Sequence, residues 1–464
     1  MGSKIFFLTL GLLLPAPLLA TGGSLPGQEL SLWWGVPFMG MLLSLAFMPL
    51  FAVHVWEKHY GKIVLIWSLM TIFALINFFG INLASKEVAQ TFFHHYLPFI
   101  VIISALYTIS GGIKIDIHSP GTPSVNTALL GVGTFLAGWI GTTGAAMLLV
   151  RPLLHINEHR RARVHHMIFF IFLVGNVGGI LTPLGDPPLF LGFLNGVDFF
   201  WPLQKLGFDL ILVTAPLLLL FYGIDSYFTW KEGHPFRHRS IRITLKGKYN
   251  GLLFIGVIGL VLMSGIWQST ISLNIGGVSI ELPNLLRDMG LIFLALASWF
   301  FTPSEIHKEN HFSWEPLKEV TKLFFGIFMT VIPVIAMLAA GYGGVLAPLI
   351  SLVEIGGEPN NMMYFWLTGG LSSFLDNAPT YLVFFHMAGG EASILMTTLT
   401  HTLEAISLGA VFLGAMTYIG NAPNFMVKAI AEGRKVAMPS FFGYMAWSVV
   451  ILLPLFVLLS LWRF

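Results

Sequence analysis

Long apolar runs recur along almost the whole chain and are separated by short polar loops. A helix of about 20 apolar residues crosses a bilayer, and eleven runs qualify as candidate crossings. Only 10% of the 464 residues are charged, which is too few to solvate several soluble domains. The sequence therefore predicts an all-α polytopic membrane protein with about 11 transmembrane helices. The runs lie near residues 5–20, 32–54, 63–82, 97–112, 166–192, 207–229, 250–268, 288–301, 321–343, 392–430 and 438–461.

Charge and cysteine content exclude several classes of function. The net charge is +2 and the basic residues are distributed among loops, so a nucleic-acid partner has no support. The chain contains no cysteine, which excludes disulfides, Cys-ligated metals and thiol catalysis.

Two further apolar stretches, residues 126–150 and 361–388, are broken near the middle. The first contains Gly-Thr-Thr-Gly at 141–144, and the second contains Asp-Asn-Ala-Pro at 376–379. Helix-breaking residues at the midpoint of a run predict a re-entrant hairpin, which enters and leaves the membrane on the same side. The predicted fold therefore includes two re-entrant helical hairpins.

The distribution of Lys and Arg predicts the orientation of the chain. Six loops contain 18 of the 24 basic residues, and the positive-inside rule places such loops in the cytoplasm. If both hairpins were full crossings, the basic loops after Arg151 and Trp230 would lie outside, so the orientation favours re-entrant hairpins. The six loops are residues 54–62, 113–125, 151–165, 230–249, 302–320 and 428–437.

The two halves of the chain match at one fixed offset of 235 residues. This offset aligns Gly-Asp-Pro-Pro at 185–188 with Gly-Asn-Ala-Pro at 420–423, and it aligns residues 141–143 with residues 376–378. An odd number of predicted crossings separates the halves, so the repeat is inverted. Inverted repeats are typical of secondary transporters.

The predicted organisation has four parts. Residues 1–31 are a signal-like or first transmembrane segment, because Lys4 and the short apolar stretch after it fit either interpretation. Residues 32–229 form the first inverted repeat, with the hairpin at 126–150. A basic cytoplasmic linker at 230–249 leads to the second repeat, residues 250–464, with the hairpin at 361–388.

Four breaks at membrane depth predict one shared cavity. An unpaired backbone N–H or C=O costs several kcal/mol in hydrocarbon, so such breaks persist only where protein or a cavity surrounds them. The breaks are 141–144, 182–188, 376–379 and 417–423. Their neutral side-chain oxygens would suit a hard monovalent cation. These oxygens belong to Thr142, Thr143, Thr182, Asn377 and Asn421.

Asp186 and Asp376 lie at two of these breaks, in otherwise uncharged segments. An ionised Asp at the bilayer centre costs roughly 2.5–3.5 kcal/mol on the insertion scale, so a cation or a proton must compensate it. Competition between a metal ion and a proton for these carboxylates is the simplest exchange mechanism. The alternative is that each Asp only caps the half-helix that follows it, with Pro187 and Pro379 in the first turn.

Three more polar residues are candidates with open alternatives. Asn176, in Gly-Asn-Val-Gly-Gly, either lines the cavity or belongs to a close helix contact. His401 and Glu404 are three residues apart and share one helical face, where they form either a proton relay or a structural pair. His166 borders a basic loop, and we expect it at the membrane interface.

The motifs at the breaks resemble those of a known superfamily. The run Gly-Thr-Thr-Gly-Ala-Ala-Met-Leu-Leu-Val-Arg-Pro at 141–152 and the run Gly-Asn-Val-Gly-Gly-Ile-Leu-Thr-Pro-Leu-Gly-Asp-Pro-Pro-Leu-Phe at 175–190 resemble NhaD-type sodium/proton antiporters and their citrate-transporter relatives in the ion transporter superfamily. Asp-Asn-Ala-Pro-Thr at 376–380 and Gly-Asn-Ala-Pro-Asn at 420–424 resemble the second-half motifs.

The resemblance implies a homodimer with a scaffold part and a mobile transport part that moves like an elevator. It also implies a cation-binding role, position by position, for the break residues. Dicarboxylate carriers of the superfamily have Ser-Asn-Thr signatures at these places, whereas this chain has Gly-Thr-Thr, Gly-Asp-Pro, Asp-Asn-Ala and Gly-Asn-Ala. The residues that inherit the cation-binding role are Thr142, Thr143, Asp186, Asp376, Asn377 and Asn421.

Three functions are open at this point. The first is Na+(Li+)/H+ antiport in a bacterial inner (cytoplasmic) membrane, with Asp186 and Asp376 holding the transported metal ion. The second is cation-coupled transport of citrate or another carboxylate. The third is an intramembrane aspartyl protease, which the absence of a matching Tyr-Asp disfavours. We expect no enzyme activity and no cofactor apart from the transported Na+ or Li+ and H+.

Overall fold

A computed structural model describes residues 25–233, 242–275 and 277–464. The first apolar run, with its two interpretations, lies outside the described residues. Seven described helices are long and apolar enough to cross a membrane, and three shorter apolar helices accompany them. The protein is therefore an all-α polytopic integral membrane protein, as the sequence predicts.

The first half of the chain contains eight helices among the described residues, and two of them form the first hairpin. One continuous helical stretch of 59 residues, Val53–Gly111, is long enough for two crossings, and its backbone is non-helical at Gly80. The helices are α1 (Val36–Phe51), α2 (Val53–Thr91), α3 (Leu97–Gly111), α4 (Pro123–Ile140), α5 (Thr142–Ile156), α6 (Val164–Leu173), α7 (Pro187–Leu194) and α8 (Trp201–Lys231).

The second half follows the same plan, with a hairpin and then a broken helix. The apolar run predicted at 392–430 divides into three helices, because its chain breaks twice. The helices are α9 (Tyr249–Ile266), α10 (Leu282–Phe301), α11 (Ser304–Glu309), α12 (Glu315–Ala339), α13 (Ala347–Leu352), α14 (Asn361–Leu375), α15 (Asn377–Met387), α16 (Ala392–Thr397), α17 (Thr400–Leu413), α18 (Ala422–Gly433) and α19 (Phe441–Arg463).

Both hairpins reverse through a single residue with positive φ. Gly141 is the C-cap of α4, with φ 84° and ψ 145°, and Asp376 is the C-cap of α14, with φ 82° and ψ 142°. Glycine adopts this conformation readily, whereas an L-residue such as Asp is strained there. Both hairpins start with a side-chain cap: Thr122 accepts from the backbone N–H of Val125, and Asn360 accepts from that of Met363.

The predicted repeat is present in the hydrogen bonding as well as in the sequence. The Thr182 hydroxyl donates to the Gly138 carbonyl at 2.5 Å, and the Thr417 hydroxyl donates to the Ser373 carbonyl. The two donors are 235 residues apart, and so are the two acceptors. The packing is exchanged between the halves in the same way, because α5 contacts α18 while its counterpart α15 contacts α7.

The basic loops lie together on one face, as the charge pattern predicts. Strand β1 (Lys114–His118) pairs antiparallel with β2 (Arg242–Lys246), which lies in the predicted basic linker. Glu309 joins both strands through Lys114 at 3.0 Å and Lys246 at 3.0 Å. Outside this face the described strands are β3 (Ser272–Ile275) with β4 (Val278–Glu281), and β5 (Glu354–Ile355) with β6 (Glu358–Pro359).

The broken helices occupy the centre of the protein. Every residue of 165–186 is buried, including eight consecutive side chains from Met167 to Val174 with no exposed surface. Helices α8 and α10 instead expose large apolar side chains such as Leu219 and Phe293. Protein thus surrounds the non-helical backbone, while regular helices face the lipid.

Candidate ion-binding site

Asp186 is the centre of the candidate site. It is 1% exposed and is the N-cap residue of α7. Its Oδ1 accepts from the Thr142 hydroxyl at 3.0 Å and from Asn421 Nδ2 at 3.0 Å. Its Oδ2 accepts from Asn377 Nδ2. The structure therefore joins four of the predicted residues, one from each break, around a single carboxylate.

The local backbone explains why these four residues meet. Thr142 and Asn377 are the first helical residues after the two hairpin tips, and Asp186 and Asn421 are the N-caps of α7 and α18. The N–H of Thr142 donates to the Gly185 carbonyl at 2.8 Å, which fixes the first tip against the broken helix. Four helix N-termini therefore converge on Asp186, and their dipoles favour a negative charge there.

A cavity of about 120 Å³ adjoins the site. Its walls are mostly apolar, from α3 and α12, and its polar side chains are Thr142, Thr143, Asp376 and Asn421, together with Tyr107. Asp186 lies directly behind the cavity wall, because its two neighbours in the chain, Gly185 and Pro187, line the cavity. Among the described residues, the cavity lining includes no Lys, Arg or His.

Asp376 caps a helix and also lines the cavity. Its Oδ1 accepts from the backbone N–H of Ala378 at 3.2 Å, so the carboxylate caps α15. It also lines the cavity, and it lies next to Asn377, the Asp186 donor. The Oδ1 of Asn377 is buried and has no hydrogen-bond partner, which leaves a neutral oxygen free at the site.

Thr182 and Asn176 lie in the same broken helix but have other partners. The Thr182 hydroxyl is used within the fold, since it donates to Gly138 and accepts from the N–H of Leu184. Asn176 Nδ2 donates to the Ile171 carbonyl and to Asn424 Oδ1, each at 2.8 Å. Asn176 therefore connects the two broken helices, which agrees with the packing alternative, and its own Oδ1 has no partner.

Glu404 and His401 form a separate cluster. Glu404 is 2% exposed and accepts from His401 Nδ1 at 2.9 Å and pairs with Arg463 at 3.1 Å. Arg463 also lies 3.6 Å from the buried Asp209. The cluster links α8, α17 and α19, and none of its described partners belongs to the Asp186 site.

A second buried cluster was missed in the sequence. Asp225 Oδ1 contacts Arg160 at 2.8 Å, His165 at 3.0 Å and His166 at 3.1 Å, and its Oδ2 accepts from Asn126 at 2.8 Å. His166, which we expected at the membrane interface, is 1% exposed and lies inside this cluster. The signal was available, because Asp225 is a carboxylate inside an apolar run.

The same cluster contains a group of potential metal ligands. The ligand atoms of His165, His166 and Asp225 lie within 4.8 Å of one another. The Arg160 guanidinium already compensates Asp225 at the position where a cation would bind. The donor set therefore fits a resident metal poorly, and a structural ion-pair network fits it well.

Comparison with known proteins agrees with this architecture. A family model described as "Putative citrate transport" matches residues 27–464. The chain belongs to this transporter family. No curated protein matches the chain significantly. The family match supports the resemblance to citrate-transporter relatives in the ion transporter superfamily, and it covers both hairpins and both broken helices.

Proposed function

We propose that this family member is a Na+(Li+)/H+ antiporter of the bacterial inner membrane. The observation that carries the proposal is the set of partners around Asp186. Its described donors are one hydroxyl and two amides, all neutral. No Lys, Arg or His among the described residues hydrogen-bonds to this carboxylate or lines the adjoining cavity. A buried carboxylate without a cationic partner requires a bound cation or a proton.

The chemistry of the site fits a small hard cation. Asp186 would supply the charged oxygen, and the free Asn377 Oδ1 and the Thr142 hydroxyl would supply neutral ones. Asp376, in the cavity wall, would add a second carboxylate along the path to the site. Because a proton and Na+ compensate the same carboxylate, binding of one favours release of the other, and alternating exposure converts this competition into exchange.

Cation-coupled citrate transport is the second candidate, and two observations favour it. The description of the family model names citrate, and four helix N-termini converge at the site, which favours an anion. The carboxylates count against it, because a trivalent anion would meet Asp376 in a cavity lined by no described basic residue.

Energised inverted membrane vesicles distinguish the two functions. We expect NaCl and LiCl, but not KCl, to dissipate a preformed pH gradient, and we expect no accumulation of labelled citrate. Asp186→Asn should abolish the response, while Asp198→Asn, an isosteric change at an exposed acid, should keep it. Sodium-dependent citrate uptake without cation-dependent proton movement would establish the carrier instead.

The family resemblance also supplies a proposal for assembly. A homodimer would hold the lipid-facing scaffold still while the two hairpins and broken helices move. Cross-linking in native membranes tests this proposal. We expect a band at the mass of a dimer, and a monomeric band alone would contradict it.

A further inference from the structure

A second cavity, of about 210 Å³, lies on the face that carries the basic loops. It is bounded by the C-terminal ends of α5 and α18, by β1 and by the end of α11. Arg151, His155, Arg434 and Asn310 line it, together with Lys114, Asp116 and Glu309. The cavity is therefore distinct from the Asp186 site, and its lining is rich in cationic groups.

The acidic residues of this cavity already have partners. Lys114 pairs with Asp116 at 3.1 Å and with Glu309 at 3.0 Å, and Lys246 also pairs with Glu309 at 3.0 Å. Hydrogen bonds from Lys246 and Lys114 lower the pKa of the Glu309 carboxyl, so it stays ionised and bound to them at neutral pH. Two lysines and two carboxylates therefore balance each other at one end of the cavity.

Arg151 and Arg434 have no such balance. No described acid forms an ion pair with either guanidinium, although the two charges are near enough to repel each other. One terminal nitrogen of Arg151 is buried and has no hydrogen-bond acceptor. A buried charged donor without an acceptor, next to a like charge, is unfavourable unless a ligand supplies the acceptor.

We propose that Arg151 and Arg434 bind a small multivalent oxyanion, with carboxylate or phosphate oxygens, in this cavity. Guanidinium groups present paired N–H donors that match such oxygens, and two of them can hold one anion from both sides. The Asn310 side chain donates to the Gly111 and Ile113 carbonyls, which fixes the adjoining wall. The ligand would enter from the face of the basic loops, which the positive-inside rule assigns to the cytoplasm.

The position of this site connects it to the transport helices. Helix α5 begins with Thr142 and carries Arg151 nine residues later, about 14 Å along its axis. Helix α18 begins after Asn421, and Arg434 is its C-cap. An oxyanion held by both arginines would therefore join the far ends of two helices whose first side chains, Thr142 and Asn421, donate to Asp186. The inference is independent of which ion the Asp186 site carries.

The test measures binding and not transport, so its failure is separate from failure of the antiport proposal. The full chain is purified in a neutral detergent, and its thermal unfolding is followed in potassium citrate, potassium phosphate and KCl at equal ionic strength. We expect a saturable rise in Tm with citrate or phosphate and none with KCl. Arg434→Gln and Arg151→Gln should each weaken the apparent affinity by about tenfold or more.

The matched control is Arg161→Gln, which removes one exposed guanidinium from the same face and should keep wild-type binding. Arg434 is also exposed, so its variant is expected to fold even if Arg151→Gln does not. Nanodiscs identify the source of the oxyanion: a citrate effect that persists in zwitterionic phosphatidylcholine and disappears in anionic phosphatidylglycerol shows that an anionic lipid headgroup competes for the site. Equal effects of KCl and citrate, or unchanged saturable binding in Arg434→Gln, would overturn the proposal.

Discussion

Asn421 Nδ2 donates to Asp186 Oδ1 at 3.0 Å, and the two residues are 235 positions apart, which is the offset of the internal repeat. Counterparts in a twofold-related pair of repeats come into contact only near the axis that relates them. The site is therefore at the symmetry axis of the repeat, where the two halves differ by one carboxylate. The hairpin tips also differ between the halves, because Thr142 corresponds to Asn377 and Gly141 corresponds to Asp376.

Exchanging the two side chains tests whether the charge or its position matters. Asp186→Asn alone should abolish cation-dependent proton movement, because no carboxylate would remain among the four residues that meet at the axis. Asn421→Asp alone should place two carboxylates about 3 Å apart, so that one must stay protonated. The double variant restores a single carboxylate at the axis, and we expect it to recover measurable Na+ response in vesicles.

The contrary result for this exchange is equally clear. If the double variant is folded and inserted like wild type but remains inactive, the position of the carboxylate on α7 is essential. If the single Asp186→Asn variant keeps full exchange, the site assignment fails.

Asp376 at the second hairpin tip offers a separate test. Asp376→Asn keeps an oxygen that can accept from the Ala378 N–H and removes only the charge. Asp376→Gly removes both, but Gly suits φ 82° and is the residue at the equivalent tip, Gly141. We expect both variants to fold and to raise the KM for Na+ by about tenfold, the loss of one attractive charge interaction. If both variants have the wild-type KM for Na+, Asp376 only caps the helix and does not contribute to ion binding.

The sequence was sufficient to predict the fold class and to predict that the four helix breaks lie close together. Breaks at Gly141 and Asp376 in apolar runs have few stable solutions in a bilayer, so hairpins and a shared centre follow from the pattern. The role of Thr182 could not be predicted from the sequence. A threonine whose hydroxyl donates to a backbone carbonyl, here that of Gly138, has no sequence feature that distinguishes it from one whose hydroxyl faces a cavity.

The Asp225 cluster was missed for a different reason. Its members come from segments that the sequence treated as separate, namely a hairpin base, a basic loop and the end of a crossing, and only tertiary packing joins Asn126, Arg160 and Asp225. The charge count alone could have indicated it, since Asp225 is as expensive in an apolar run as Asp186.

The Asp225 cluster should matter for stability. Asp225→Asn would remove the negative charge that compensates the buried Arg160 and its two neighbouring histidines, and breaking a buried ion pair costs roughly 3–5 kcal/mol. We expect a large fall in Tm for the purified protein. Lys318→Gln breaks an exposed pair with Glu315 and should change Tm little, because surface pairs contribute about 0–1 kcal/mol. Equal Tm values for the two variants would contradict the structural role.

Glycine at the breaks is required by close backbone contacts. A Cβ at Gly185 would lie 2.2 Å from the Gly179 carbonyl oxygen, and one at Gly420, its counterpart, would lie 2.5 Å from the Gly414 oxygen. Alanine at either position must displace backbone next to the site, so we expect loss of transport in vesicles. Gly370→Ala is the matched control, because its Cβ would meet nothing within 4 Å. Normal transport by Gly185→Ala would show that the backbone can move to accommodate the added Cβ without loss of function.

Glu404 distinguishes a proton relay from a structural ion pair. Its described partners are His401 and Arg463, and Arg463 in turn lies near the buried Asp209. Glu404→Gln removes the charge that compensates Arg463, so we expect a lower Tm while Na+-dependent proton movement per inserted molecule stays within about twofold of wild type. The comparison variant is His401→Gln, which removes an exposed imidazole and should lower Tm less. If Glu404→Gln abolishes exchange without changing Tm, protons pass through this carboxylate on their way to Asp186, and the relay interpretation replaces the structural one.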